Sequence, residues 1–265
     1  MRFSQRSRGV RARILPWLAP LALLSGSCSS ELEKVVVVSH RGTLDVENSL
    51  GAFKAAKAQG ADGVEFDVAL TKDGVNVVMH DETLERTTTC SGLVRDRSLA
   101  ELRAACRLQN GEPLRTLDEM LREVGPMFSV VFVELKVFDD RAREQADDVV
   151  TQVVRSGFAA RVVASSYDEL ANRRLAERQA DGIVAGWDAL TEESLTNAQK
   201  FGSTWALLPF GALGPHSGDL ARAAGKSLCV YVVSSRADFA TAYDRGVRVM
   251  MTDSVPLLKA AATGE

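Results

Sequence analysis

The 265-residue sequence has few of the residues that build zinc sites and disulfide frameworks. It contains four cysteines and three histidines, with no CxxC pair and no Cys/His cluster, so nothing in it indicates a zinc site. It also lacks low-complexity tracts and internal repeats. With 46% hydrophobic and 25% charged residues, the chain can bury one large core without needing a second domain.

Acidic residues are missing from the first 27 positions, which predict a signal peptide over residues 1–27. Five arginines between positions 2 and 13 precede an apolar run at 14–25, and that run is shorter than the roughly 18 residues of a membrane span. An uncleaved N-terminal anchor is the alternative. Because the residues before Cys28 resemble a bacterial lipobox whose leucine is displaced to Leu24, we expect a lipid at Cys28. The protein is then an exported periplasmic or cell-envelope lipoprotein, attached to the membrane through that lipid.

Beyond this leader the chain has fewer basic than acidic residues. The whole sequence has 32 lysines and arginines against 35 acidic residues, and without the five leader arginines the net charge becomes −8. A nucleic-acid partner requires the opposite sign, so none is expected, and no protein partner is implied.

Eight short runs rich in valine, isoleucine and leucine recur along the chain, with alanine-rich amphipathic stretches between most of them. The runs lie at 35–38, 64–68, 130–135, 161–165, 182–186, 205–209, 228–233 and 247–251. Eight buried parallel strands alternating with helices predict an α/β fold, the TIM (β/α)8 barrel. We place the barrel domain at 35–260, after a short linker at 28–34.

A ninth apolar run, at 75–79, follows the second strand after only the turn Thr-Lys-Asp-Gly at 71–74. A parallel crossover needs a dozen or more residues, so this pair is predicted to be an antiparallel hairpin. The polar stretch at about 82–125 that follows is too long for an ordinary connection. It predicts a small insertion or lid over one barrel face, with too few apolar residues for a core of its own.

Cysteines occur twice in this insertion, at Cys90 and Cys106. In an exported protein the pair is expected to be a disulfide that closes a loop of moderate size. Two unrelated thiols, with Cys106 buried on the apolar face of a helix, are the alternative. Cys229 lies in an apolar run and is interpreted as a buried thiol.

Paired carboxylates stand on two of the predicted strands. Glu65 and Asp67 are two residues apart, so both side chains point the same way, towards the barrel mouth where active sites of this fold lie. Buried carboxylates so close repel each other unless a cation lies between them. Glu134 and Lys136 repeat the spacing, so the glutamate can complete a site for Mg²⁺ or Ca²⁺ while the lysine attracts an anion. A solvated strand face is the alternative for either pair alone.

The first strand ends in the sequence Ser-His-Arg-Gly. Imidazole titrates near neutral pH and a guanidinium binds phosphate with two parallel hydrogen bonds, so His40 is a candidate acid/base group and Arg41 an anion clamp. A capped loop is the alternative. His80 also falls just past a predicted strand, whereas His216, in a glycine- and proline-containing loop, is expected to lie at the surface.

In order and context these motifs resemble the glycerophosphodiester phosphodiesterases from about Val35 to Leu258. The shared motifs are HRG at 40–42, EN at 47–48, EFDV at 65–68, TKDG at 71–74, VVMHD at 77–81, LxRTT at 84–88, ELK at 134–136 and TD at 252–253. The resemblance implies a TIM barrel that hydrolyses a small-molecule phosphodiester to glycerol 3-phosphate and an alcohol. Lysophospholipid hydrolysis and noncatalytic binding of a phosphate ligand are the alternatives.

The resemblance also implies a role for each matching residue. A divalent cation would be held by Glu65, Asp67 and Glu134, and phosphate by Arg41 and Lys136. His40 and His80 would be the acid/base catalysts. Glu47 would support the site near the metal, whereas Asn48 could equally be the N-cap of the following helix. The sequence YVVS at 231–234 replaces the family's W-T-V-N, so we expect an aromatic wall of the substrate pocket to be lost.

Overall fold

The computed structural model of the protein describes residues 33–42 and 46–264, apart from the side chains of residues 198 and 199. The predicted signal peptide, the lipidation candidate Cys28 and most of the predicted linker lie outside these residues, so those expectations stay predictions. In the part of the chain that is described, no helix is both long and apolar enough to cross a membrane.

Strands and helices alternate along most of the chain. The strands are β1 (Val36–His40), β2 (Gly63–Leu70), β3 (Asn76–Val78), β4 (Val130–Lys136), β5 (Val162–Ser166), β6 (Val184–Ala185), β7 (Trp205–Pro209), β8 (Ser227–Tyr231) and β9 (Val249–Thr252). The helices are α1 (Leu50–Ala58), α2 (Leu99–Ala105), α3 (Leu117–Val124), α4 (Ala142–Ser156), α5 (Glu169–Glu177), α6 (Leu195–Lys200), α7 (Ser217–Ala223), α8 (Arg236–Asp244) and α9 (Val255–Thr263).

Eight of the strands run parallel in the order β6-β5-β4-β2-β1-β9-β8-β7 and form a nearly closed barrel. At the junction of β6 and β7 the strands are joined by a parallel bridge between Asp188 and Leu207 and by the Trp187 amide, which donates to the Trp205 carbonyl at 3.0 Å. Each strand coincides with a predicted apolar run. The predicted TIM barrel is therefore confirmed.

The strands form here because their side chains are buried on both faces of the sheet. Val38, Phe132 and Val163 fill the barrel interior, while Val64 and Phe66 pack outwards against the helices. Continuous β-branched and aromatic runs are what a parallel sheet covered on both faces requires, which explains why these runs were visible in the sequence.

The hairpin of β2 and β3 is antiparallel, as predicted, with Val68 opposite Val78. Its turn is closed by the Thr71 hydroxyl, which accepts the Val75 amide at 2.9 Å. Gly74 has a φ of 76°, a left-handed conformation that glycine adopts without steric cost.

The insertion after the hairpin contains α2 and α3, each begun by a capping box, at Ser98 with Glu101 and at Thr116 with Glu119. As predicted, the segment before α3 does not form a core by itself, because it shares a buried cluster with the hairpin. The buried hydrophobic residues before α3 join the hairpin in one cluster, whereas those of α3 belong to the main core of the barrel. The cluster is formed by Ala69, Val77, Met79, Leu84, Val94, Leu102, Cys106, Leu108 and Leu114.

A disulfide joins Cys90 to Cys106 across this insertion, with 5.4 Å between the two Cα atoms. The predicted bridge is confirmed. Cys106 is also buried in the cluster of the insertion, so the burial expected under the alternative is correct while the free thiol is not. Cys229 is a free, fully buried thiol, as predicted.

Candidate active site

Three carboxylates converge at the mouth of the barrel. Glu65 and Asp67 extend from β2 and Glu134 from the neighbouring β4, where the strand register pairs Asp67 with Glu134. One oxygen from each lies within 4.8 Å of the others. Glu65 and Asp67 are 4% and 0% exposed, and Oε1 of Glu65 is buried with no hydrogen-bond partner. A cluster of carboxylate oxygens with an unpaired buried atom fits a hard divalent cation.

The pKa values of these carboxyl groups reflect their burial and mutual repulsion. Burial, together with Asp67 and Glu134, raises the pKa of Glu65 well above its ordinary value. Burial and the nearby Asp188 raise the pKa of Glu134 to about 8. Burial acts in the same direction on Asp67, but the charges of Lys136 and others outweigh it and lower that pKa. A cation bound between these groups would relieve the repulsion.

Two basic side chains meet the same carboxylates. Nζ of Lys136 lies 3.2 Å from Oδ1 of Asp67 and also contacts Glu134, while Nε of Arg41 lies 3.3 Å from Oδ2 of Asp67. Lys136 and Arg41 both line the cavity at the barrel mouth. They supply positive charge beside the candidate cation site, where a phosphate oxygen would need it.

The backbone around Arg41 is held in an unusual conformation. Arg41 and Asn48 have positive φ values of 52° and 59°. The Arg41 amide donates to Oε2 of Glu65 at 3.0 Å, and Nδ2 of Asn48 donates to Oδ2 of Asp67 at 2.9 Å. Asn48 is therefore not the N-cap of α1, because Ser49 caps that helix. Residues outside the favoured φ range persist where surrounding contacts fix them, and such residues cluster at functional sites.

Each candidate acid/base histidine is oriented by an aspartate. Nδ1 of His40 lies 2.7 Å from Oδ1 of Asp253, and Nδ1 of His80 lies 2.6 Å from Oδ1 of Asp81. Both imidazoles line the cavity, and burial lowers the pKa of His80. With Nδ1 occupied, each ring has Nε2 left for proton transfer; in His40 that atom lies 3.9 Å from Glu65.

Glu47, expected near the metal, lies outside the group of three carboxylates. Its two oxygens accept hydrogen bonds from Arg86 at 2.7 and 2.9 Å, and Oε1 is 3.5 Å from Nη1 of Arg41. Arg86 also donates to both oxygens of Asp81, at 2.5 and 2.8 Å. Sequence reasoning gave Arg86 no role, although it stands in one of the motifs quoted above.

The cavity at the mouth has a volume of about 240 Å³. Tyr167 and Tyr231 form part of its wall and share a hydrogen bond of 2.5 Å between their hydroxyls. The expected loss of an aromatic wall was therefore wrong, because tyrosine keeps a ring at position 231. Asp188 also lines the cavity, and its burial raises its pKa to about 6. His216 is exposed and does not line the cavity, as predicted.

Sequence reasoning missed Asp188 and gave no role to Asp253. Asp188 follows a two-residue strand, and no pattern marks it as part of a site. Asp253 belongs to the terminal TD motif, but its contact with His40 joins positions 213 residues apart. The position of a conspicuous acid directly after the last barrel strand was the available signal for Asp253.

The sequence is similar to those of known phosphodiester-hydrolysing proteins. The profile of the glycerophosphoryl diester phosphodiesterase family matches residues 37–257. A glycerophosphodiester phosphodiesterase of Caldanaerobacter subterraneus subsp. tengcongensis is 36% identical over 148 residues, which cover 53% of this chain and 61% of that relative. The chain thus aligns with less than two thirds of that relative's length.

Solved structures share the fold. A glycerophosphodiester phosphodiesterase from Parabacteroides distasonis superposes with a TM-score of 0.73 at 26% identity, covering 86% of this chain and 98% of that one. A phosphodiesterase from Oleispira antarctica, in complex with the product sn-glycerol-3-phosphate, superposes with a TM-score of 0.75 at 22% identity, covering 88% of this chain and 98% of that one. Since the family profile spans most of the barrel and includes the clustered carboxylates and histidines, the chain belongs to the glycerophosphoryl diester phosphodiesterase family.

Proposed function

We propose that this protein hydrolyses glycerophosphodiesters to glycerol 3-phosphate and a free alcohol in a reaction that depends on a divalent cation. The observation that carries the proposal is the convergence on one cavity of three clustered carboxylates, two basic side chains and two aspartate-bound histidines. Family membership supports it, as does the name of the Caldanaerobacter relative. The product named in the Oleispira structure is of the same chemical class.

The residues divide the chemistry by type. Glu65, Asp67 and Glu134 would hold Mg²⁺ or Ca²⁺, which when bound neutralises negative charge on the phosphate. Arg41 and Lys136 bind the remaining phosphate oxygens and stabilise the charge that develops there.

Proton transfer falls to the histidines. With Nδ1 held by an aspartate, Nε2 of one imidazole removes a proton from the nucleophile, and Nε2 of the other protonates the departing alcohol. The nucleophile is water or the neighbouring glycerol hydroxyl, and an assay for a cyclic phosphate intermediate distinguishes the two. The aspartates determine which tautomer faces the cavity, so they keep both rings ready for this exchange.

A coupled assay for glycerol 3-phosphate released from glycerophosphocholine tests the proposal, with and without EDTA. Chelation should abolish turnover and added Mg²⁺ or Ca²⁺ should restore it, whereas Asp67→Asn should stay inactive with either ion. Full turnover in the cation-free protein would contradict the metal role. Binding of the diester without turnover would indicate a noncatalytic binding protein, and turnover confined to lysophospholipids would move the substrate to that class.

We also propose that the protein is exported and carries a lipid on Cys28. The disulfide between Cys90 and Cys106 supports export, because such bonds persist in oxidising compartments and are rare in the cytosol. Mass spectrometry of the purified membrane fraction should find a mature N-terminus beginning at an acylated Cys28. An intact, unmodified N-terminus on membrane-bound protein would instead support the uncleaved anchor.

A further inference from the structure

One arginine outside the barrel strands connects the two halves of the candidate site. The guanidinium of Arg86 donates from Nε and Nη2 to the two oxygens of Asp81, at 2.5 and 2.8 Å. It donates from Nη1 and Nη2 to the two oxygens of Glu47, at 2.9 and 2.7 Å. A planar guanidinium that holds two carboxylates in this way fixes their relative position more strictly than an ammonium could.

Both carboxylates have a second partner in the site. Asp81 holds Nδ1 of His80 at 2.6 Å, and Oε1 of Glu47 lies 3.5 Å from Nη1 of Arg41. A continuous chain of polar contacts therefore runs from a candidate acid/base group, through Arg86, to a candidate phosphate ligand. Arg86 does not line the cavity, so it reaches the reacting atoms only through these neighbours.

The two histidines differ in this respect. Asp253, which orients His40, has a side chain that is 70% exposed, and the structure shows no arginine hydrogen-bonded to it among the described residues. Asp81 is 23% exposed and is held on both oxygens. His80 thus depends on a partner that is itself fixed from a second segment of the chain.

That second segment is the disulfide-bridged insertion. Arg86 lies four residues before Cys90, and its carbonyl accepts a hydrogen bond of 2.6 Å from Nε2 of Gln109. The backbone of Arg86 is thereby held independently of its side chain. A substitution at this position can remove the guanidinium while this backbone contact remains.

Resting on the proposed diesterase function, we propose that Arg86 is a positioning residue that holds the imidazole of His80 in register with the phosphate ligand Arg41. Phosphodiester hydrolysis needs the proton donor or acceptor and the bound phosphate in one fixed geometry. A displacement of about 1 Å can cost about 100-fold in rate. The insertion then contributes to catalysis by supplying this clamp.

Arg86→Gln, Arg86→Lys and the control Arg103→Gln test the proposal against wild type. Arg103 is a matched control because its side chain, 44% exposed against 48% for Arg86, lies in the same insertion and is hydrogen-bonded to a glutamate. The readouts are kcat, KM and the pH dependence of kcat on glycerophosphocholine, with thermal unfolding to verify the fold.

For Arg86→Gln we expect kcat to fall by about 10- to 100-fold while KM changes less than about threefold. Asp81 would then act on His80 without a neutralising partner, so the limb of the pH profile governed by His80 should move to higher pH. Arg86→Lys should restore the position of that limb, because lysine returns the positive charge. It should restore only part of kcat, because an ammonium group cannot donate to both carboxylates with the fixed planar geometry of a guanidinium.

Wild-type kcat and pH profile in Arg86→Gln would overturn the proposal, as would equal losses in Arg86→Gln and Arg103→Gln. If Arg86→Gln does not fold, Arg86→Lys is used for the test instead, and a wild-type kcat in Arg86→Lys would refute the proposal. Absence of turnover in wild type would instead refute the proposed function, so the two failures are distinguishable.

Discussion

Removing the disulfide should open the insertion while leaving the barrel folded. Cys90 and Cys106 are 16 positions apart, and closing a loop of that size stabilises the folded segment by about 3 kcal/mol in the chain-entropy relation. The part of the insertion before α3, which includes both cysteines, packs on the hairpin through its own cluster, whereas α3 packs in the main core of the barrel. We therefore expect the lost stability to appear as local opening of the insertion.

Limited trypsin digestion of the double variant Cys90→Ala/Cys106→Ala measures that opening. Because each 1.4 kcal/mol is tenfold in an equilibrium, 3 kcal/mol predicts cleavage after Arg95 or Arg97 about 100-fold faster than in the oxidised wild type. Reduced wild type should match the variant, and reductant should leave the variant unchanged. The buried thiol of Cys229 is common to both proteins and cancels in the comparison. Cleavage within about threefold of oxidised wild type would refute the reasoning.

Three further predictions concern the site itself. Because burial and Asp188 raise the pKa of Glu134 to about 8, a bound cation must displace its proton. Cation affinity should then rise with pH and level off above about 8, while the cation-free protein loses stability as the pH rises from about 4.5, the ordinary pKa of a glutamate, to about 8. Calorimetry in buffers of different ionisation enthalpy that gives equal heats would contradict this proton release. His40→Ala and His80→Ala should each lower kcat by about 10² to 10⁴ with the fold intact, whereas the exposed control His216→Ala should keep wild-type turnover. Asn48→Ala should have a free energy of unfolding about 1 kcal/mol below that of Asn48→Gly in urea denaturation, because only glycine adopts the positive φ without strain. Equal urea midpoints for the two variants would mean that the backbone is unstrained.

The barrel was predictable because its signals are local. Each strand is a short buried run, and the hairpin followed from the length of a single turn. Glu65 with Asp67, and Glu134 with Lys136, were found because a spacing of two residues on a strand puts both side chains on one face. The structure brings those carboxylates together at the mouth, as the sequence indicated.

The residues that orient this set were not predictable in the same way. The contact of Asp253 with His40 spans 213 positions, and that of Arg86 with Glu47 spans 39. Neither spacing corresponds to a helical or strand period, so only the closed fold brings the partners together. The left-handed conformation of Asn48 was also hidden, because its reason is a hydrogen bond to a buried aspartate on another element.

The short strand β6 gives the barrel a seam. β6 has only two residues. Its contact with β7 depends on the bridge between Asp188 and Leu207 and on the few backbone hydrogen bonds beside it. Asp188 and Leu207 both line the cavity. Amide protons along this seam should therefore exchange with deuterium sooner than those between β4 and β5, where five residue pairs are in register. Opening of this seam would widen the mouth opposite β1 and β2, the strands that carry His40 and the paired carboxylates of Glu65 and Asp67.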